Sequence, residues 1–238
     1  PNDLLISLSA EWARKDMKEA QAWADSQQQG AARWAAIQGI AIAMSEKDPA
    51  VAIALIEKEK MPVFRDGLIY NVGYYLFTQW GAQNRNEAIA HISKLSGDNG
   101  FGWTKSAWRQ WAYGAIAEQW AKEDLQGAIK WAESLPTKSG IKYETLGDII
   151  RTWALKDPVA ARNYTQAAWE KDENDDPGSQ KIWALFQSWT EKDPESFANW
   201  LIHLPVKTKE QKERIEHNLW GFCRNWAFKD INAVQKWT

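Results

Sequence analysis

Apolar side chains recur along this chain in steps of three and four residues. Leu5, Leu8 and Trp12 make one such run; Leu146, Ile149 and Trp153 make another, and Ile182, Leu185 and Trp189 a third. Those steps return to one face of an α-helix, so each run predicts a helix with a single buried stripe. The run is written seven times. Its last position, here called the anchor, reads Trp12, Met44, Trp80, Trp120, Trp153, Trp189 and Trp226. Four residues earlier stand Leu8, Ile40, Leu76, Ile116, Ile149, Leu185 and Phe222, and alternating stretches that would predict strands are scarce.

The polar positions punctuate the same register. Four residues after the anchor come Asp16, Asp48, Asn84, Asp124, Asp157, Asp193 and Asp230. Asp and Asn accept hydrogen bonds from the free amides that open a helix, which makes them strong N-caps. Pro49, Pro158 and Pro194 follow the cap, where a missing N–H loses nothing. Lys15, Lys47, Lys156, Lys192 and Lys229 precede it, in the last turn of the helix before, where a cation suits the helix dipole. The phrase therefore predicts a joint. A first helix, A, ends, and a second, B, begins at once.

On helix B the stripe continues three residues apart. Ala20, Ala52, Ala88, Ala128, Ala161, Phe197 and Val234 stand eight after the anchor. Trp23, Leu55, His91, Trp131, Tyr164, Trp200 and Trp237 stand eleven after it. Pro62, Pro136 and Pro205 close B helices. The copies are spaced 32 to 40 residues apart, a period that marks a helical solenoid. The expected fold is all-α, a right-handed α-solenoid of about seven helix-turn-helix repeats over residues 1–238, in a single helical-repeat domain. Both ends fall inside a helix and the first residues are Pro-Asn-Asp, so the chain is expected to be a piece of a longer repeat protein.

Composition sharpens this picture at three points. There are 17 Trp, and the anchor column and the column eleven beyond it hold ten of them, as core positions. The charge is -2, with 29 basic against 31 acidic residues, a balance that argues against nucleic acid or an anionic membrane as partner. The one cysteine, Cys223, excludes an internal disulfide and leaves the compartment open. The longest apolar run, from Ala35 to Met44, is far short of a membrane span.

The joint, as in "WAKEDLQGAIKW" at 120–131, resembles the middle of a tetratricopeptide repeat. There an aromatic near the end of helix A is followed by an acidic turn, an Ala on helix B and a further aromatic. The turn here is about one residue shorter, and the family's early helix-A Trp and Leu-Gly pair are missing. The form W-A-x-x-D-P-x-x-A-x-x-W…L-P also resembles repeat arrays in large bacterial proteins. The resemblance implies a TPR-like superhelix that binds protein or peptide on a concave face, in the bacterial cytoplasm or periplasm.

Candidate chemistry is sparse. His91, His203 and His217 lie far apart and in no zinc-binding spacing. No nucleophile elbow, P-loop or dinucleotide fingerprint is present. Asp172, Asn174 and Asp176 have the spacing of a calcium loop, but Pro177 and Trp183 stand where Gly and Glu belong. Cys223 falls among core positions. No cofactor and no metal is expected.

The informative residues leave the buried stripe of helix A. Counting back nine, six and two from the anchor gives positions pointing well away from it. They supply the candidate partner-binding set Asn71, Tyr74, Trp111, Glu144, Arg151, Trp183, Gln187, Trp220 and Arg224. Aromatics and Arg dominate binding hot spots. A non-catalytic scaffold binding protein or peptide is therefore expected. The alternatives are a helical arm of a bacterial cell-wall lytic enzyme whose catalytic domain lies outside this chain, or an α/α toroid acting on glycans or terpenoids. The toroid needs paired carboxylates, for which helix A offers Glu118, Glu144 and Asp148. An RNA-binding helical repeat suits the period but not the charge.

Overall fold

The computed structural model describes residues 2–59, 68–94, 102–136, 140–171, 180–189 and 193–237, and the backbone alone at 68–71, 102–108, 187 and 188. Every regular element among them is an α-helix, so the fold is all-α. The candidate calcium segment 172–176 lies outside the described residues.

The chain divides into two compact units, Pro1–Trp120 and Ala121–Thr238. The first holds α1 (Asn2–Lys15), α2 (Met17–Ser26), α3 (Ala31–Ser45), α4 (Pro49–Lys58), α5 (Leu68–Lys94) and most of α6 (Gly102–Glu123). The second holds the end of α6 and then α7 (Leu125–Glu133), α8 (Ile141–Lys156), α9 (Pro158–Glu170), α10 (Gln180–Trp189), α11 (Pro194–Ile202), α12 (Lys209–Lys229) and α13 (Ile231–Trp237).

All seven joints are built the same way. The Oδ1 of Asp16, Asp48, Asn84, Asp124, Asp157, Asp193 and Asp230 accepts from the backbone N–H three residues on, at 2.9–3.3 Å. At five of them the cap's own N–H donates to the anchor carbonyl, as Asp157 does to Trp153 at 2.9 Å. One residue thus closes helix A and opens helix B. Pro49, Pro158 and Pro194 occupy the first turn beyond it. At Asn84 two helices meet across a kink within α5, as at the other joints. The residue itself keeps the extended conformation of the other caps, φ -149° and ψ 79°.

The aromatic columns meet across the joint. Anchor and +11 rings pack at 5.6 Å for Trp12 and Trp23, 5.0 Å for Trp80 and His91, 5.7 Å for Trp153 and Tyr164, and 6.0 Å for Trp226 and Trp237. The expectation that these columns are core needs correction in degree. Trp80, Trp189 and Trp226 are buried, but Trp12, Trp120 and Trp153 are half-buried, and so is every described aromatic of the +11 column. Two of the anchor indoles find acceptors on helix B. Trp12 and Trp80 donate to Glu19 and Glu87, each seven residues on, at 3.3 Å.

Inside the joints lies the apolar stripe. Ile40, Leu76, Ile116, Ile149, Leu185 and Phe222, all four before an anchor, are completely buried. Each contributes about 1.5–3 kcal/mol by leaving water. In the second unit Phe222 meets Phe197 at 4.8 Å, Phe186 edge-on at 5.2 Å and Trp226 at 5.9 Å.

A hydrogen-bonded ladder joins successive B helices within each unit. Tyr164 donates to Glu133 at 3.0 Å, Trp200 to Gln166 at 3.0 Å, and His91 Nε2 lies 3.1 Å from Glu57 Oε1. In each case a +11 ring reaches the residue two beyond the +11 position of the preceding copy. Ile202 occupies that place below Trp237 and cannot accept. Trp237 donates instead to Asn199, at 2.9 Å. Each rung contributes about 1 kcal/mol at most, since it replaces a bond to water.

Candidate functional site

The sequence-predicted residues sit on helix A, and the close approaches between neighbouring A helices show which way each faces. A Cβ at Gly39 of α3 would strike the backbone of α1 at Ile6 and Ala10, and the Ser9 side chain. A Cβ at Gly147 of α8 would meet the Gln180 carbonyl and Ala184 of α10 at 3.6 and 3.9 Å. At Gly221 of α12 the neighbour is the Trp183 ring, 3.6 Å away. Tyr74 of α5 donates its hydroxyl to Glu118 of α6. Ile6, Tyr74, Gly147 and Trp183 all stand six before an anchor. That position is the edge of helix A turned toward the A helix of the following copy.

This orientation explains the burial along the column. Ile6, Gln38, Gly114 and Gly147 are buried, and Tyr74 is half-buried. Trp183 is larger than its seat. It stacks on Phe186, with centroids 4.6 Å apart, and lies against Gly221, yet keeps 43% of its surface exposed. Trp220, on the last A helix described, is 63% exposed.

Around Trp220 the face of α12 is aromatic and cationic. The Arg224 guanidinium lies 5.5 Å from the Trp220 ring and 6.0 Å from the Phe228 ring, so one cation bridges two exposed aromatics spaced four residues apart on each side. Phe228 is 80% exposed, the most of the large apolar side chains described. Sequence reasoning missed it because its column carries no aromatic in any other copy. The signal was local: Trp220, Arg224 and Phe228 recur at a spacing of four on one helix face.

The other predicted residues scatter. Trp111 is half-buried, in the first unit. Arg151 pairs with Asp148 one turn away on the same helix. Glu144 is half-buried, and burial pushes its carboxyl above the ordinary glutamate value. The side chains of Asn71 and Gln187 lie outside the described residues. Within the second unit Trp183, Trp220 and Arg224 come together on adjoining helices α10 and α12.

The candidates for chemistry are tied into structure. Cys223 is half-buried on α12, and desolvation pushes its thiol pKa up, away from the reactive thiolate. His91 packs on Trp80, and His203 Nδ1 lies 2.6 Å from the Asn199 carbonyl. Among the described residues no three His, Cys, Asp or Glu side chains gather as metal ligands would. No helix among them is long and apolar enough to cross a membrane.

One polar cluster was not legible at all. Arg33, at the start of α3, is buried and donates to the Ala24 carbonyl at 2.6 Å, to Asp25 at 3.1 Å and to both oxygens of Glu59 at 3.0 Å. These bonds, above all those to Glu59, raise its pKa further. It clamps the ends of α2 and α4 to α3. An open groove of about 350 Å³ beside it is lined by Gln29, Trp34, Lys58 and Glu59. Glu59 is engaged by Arg33, while the Trp34 indole N–H is buried without a hydrogen-bond partner. Comparison of the chain with protein families, with curated proteins and with solved structures found no match.

Proposed function

We propose that this chain is a non-catalytic scaffold that binds protein or peptide on the face of its A helices, and that its hairpins form a TPR-like right-handed α-solenoid of about seven repeats. The observation that carries the reading is the exposed ledge on α10 and α12, where Trp183, Trp220, Arg224 and Phe228 lie open to solvent. Two Trp and an Arg on rigid helices are the residue types that dominate interface hot spots. The repeated caps, the aromatic pairs across the joints and the B-helix ladder support the solenoid, because within the two units three pairs of neighbouring copies meet through the same columns.

A catalytic reading has less behind it. Of the three helix-A carboxylates, Glu118 accepts from Tyr74 and Asp148 is held by Arg151. Both are held by a local structural partner, while Glu144, the third, is half-buried.

Peptides selected from a phage-displayed random library against the wild-type chain test the proposal. Trp183→Ala should weaken the selected peptides fivefold or more, equivalent to about 1 kcal/mol, the level that marks an interface residue. Its far-UV circular dichroism should match the parent. Failure to enrich any peptide, or equal affinity for Trp183→Ala, would count against the ledge as a binding face.

A further inference from the structure

Arg224 is exposed, and among the described residues only aromatic rings attend its charge. Its guanidinium makes no hydrogen bond and no ion pair there, and lies 5.5 Å from the Trp220 ring and 6.0 Å from the Phe228 ring. The equivalent arginine of α8 is placed differently. Arg151, likewise two before its anchor, is paired with Asp148, three residues earlier on the same helix. On α12 that earlier position holds Gly221, and a Cβ there would meet the Trp183 ring at 3.6 Å. The glycine thus lets Trp183 pack close and leaves Arg224 without a counter-charge on its own helix. No other carboxylate of these two helices stands nearby. α10 has no Asp or Glu from Gln180 to Trp189, and α12 has none from His217 to Lys229. The acidic residues of α12 lie in its first half, where Glu213 and Glu216 pair with Lys209 and Lys212 at 3.5 and 3.9 Å.

We infer that the ledge receives an acidic peptide segment, with a Glu or Asp side chain of the partner on Arg224 and apolar residues flanking it on Trp183, Trp220 and Phe228. This rests on the scaffold reading above and names the chemistry of its partner. Charge complementarity selects the occupant. The guanidinium N–H groups are used by nothing in the described residues, and their planar fork matches a carboxylate. The rings beside them exclude water, which strengthens a charged hydrogen bond made there. The exposed faces of Trp183, Trp220 and Phe228 then take the apolar neighbours of the acid. A single arginine among three rings suits a single carboxylate. A phosphate group carries a charge of about −2 and is matched by a cluster of arginines. An anionic membrane surface is matched by a run of basic residues.

A phage-displayed random library panned in parallel on the wild-type chain and on Arg224→Gln tests this. Peptides enriched on the wild type should carry Asp or Glu at a fixed place between apolar residues. That preference should vanish on Arg224→Gln, whose far-UV circular dichroism should match the parent. The leading peptide, synthesised with acetylated and amidated ends, should bind Arg224→Gln about fivefold more weakly, the upper end for an exposed charge pair. Changing the peptide's own acid to its amide should cost about the same. The two changes together should cost little more than either alone, because they remove one interaction. Added salt should weaken only the intact pair. Enriched peptides without an acid, or acidic peptides that bind Arg224→Gln as tightly as the wild type, would overturn the inference. So would tighter binding when phosphoserine replaces the acid, or a requirement for a free C-terminal carboxylate. Binding of phosphatidylserine vesicles that is lost in Arg224→Gln, with no peptide enriched, would assign the ledge to lipid instead. If peptides lacking an acid bind and are lost in Trp183→Ala, the acidic partner fails and the scaffold stands. If no peptide is enriched, both fail.

Discussion

Gly39 and Gly147 stand in equivalent helices, and the same substitution should move stability in opposite directions at the two. In an open helix, glycine to alanine gains about 1 kcal/mol from propensity and from a stiffer unfolded chain. At Gly147 the nearest atom to a new methyl is the Gln180 carbonyl oxygen at 3.6 Å, an ordinary contact. Gly147→Ala should therefore stabilise by up to about 1 kcal/mol. At Gly39 the new methyl would overlap the Ile6 carbonyl oxygen and sit 2.8 Å from the Ala10 nitrogen and the Ser9 Cβ. Two of those three atoms are backbone, so no side chain can swing aside. α1 and α3 must separate by roughly 1 Å to restore normal contact, and a gap of that size forfeits a quarter to a half of each dispersion contact along the seam. The seam is lined by Ile6, Ala10 and Ala13 on one side and Ala36, Ile40 and Ala43 on the other, all buried. Overpacking of this kind costs about 1–3 kcal/mol, and a backbone obstacle places it at the upper end. After the propensity gain, Gly39→Ala should be about 2 kcal/mol less stable than wild type. Urea unfolding followed at 222 nm measures both variants. A Gly39→Ala protein at least as stable as the parent, or a Gly147→Ala protein clearly destabilised, would refute the assignment of the closest helix contact.

Three further outcomes follow from the local chemistry. Arg33→Met should destabilise by about 3–5 kcal/mol, since it leaves Glu59 buried without its partner; adding Glu59→Met should recover much of the loss in the same urea assay, and a single variant within about 1 kcal/mol of wild type would show that the clamp is dispensable. Asp157→Ala should cost about 1 kcal/mol and speed amide exchange at Ala160, while Asp157→Asn should keep most of the cap. Burial holds the Glu144 carboxyl above its unfolded value, so folding favours the protonated form and stability falls as pH rises from about 4.3 through the folded value. Glu144→Gln should accordingly be the more stable protein at pH 7, by a margin that disappears near pH 4; a margin that grows on acidification contradicts this.

What the sequence carried most plainly were the local signals. Asp124 and its six equivalents had to cap a helix because nothing else at that place supplies an acceptor to the free amides, and all seven do so. The anchor and +11 aromatics were legible as a pair from spacing alone. How deeply each is buried was not, because that depends on neighbours from other copies. Arg85, for example, lies 4.4 Å from the Trp120 ring and covers part of it. The direction faced by Tyr74, Trp183 and Trp220 was the harder problem. Helical periodicity places them off the buried stripe, but only the approaches of Gly147 and Gly221 reveal that this edge meets the next A helix. Leu8 shows the same limit from the other side. Its place in the apolar column predicts burial, yet it is exposed, because no described helix packs over that side of α1. Arg33 gave no signal, since its acceptors lie on the ends of two other helices and follow no repeat register.

The repeat account is tested most directly by excising one copy, residues 154–189, so that Trp153 runs into Thr190. Each copy of a solenoid depends only on its neighbours, so removing one leaves joints and columns in register. The shortened chain should remain helical and unfold cooperatively in urea. Its m-value should be lower by roughly 15%, the share of 36 residues in 238. A chain that loses its cooperative transition, or binds the dye ANS as a molten state does, would contradict the account, because a core shared by the whole fold rather than by neighbours would then hold the protein together.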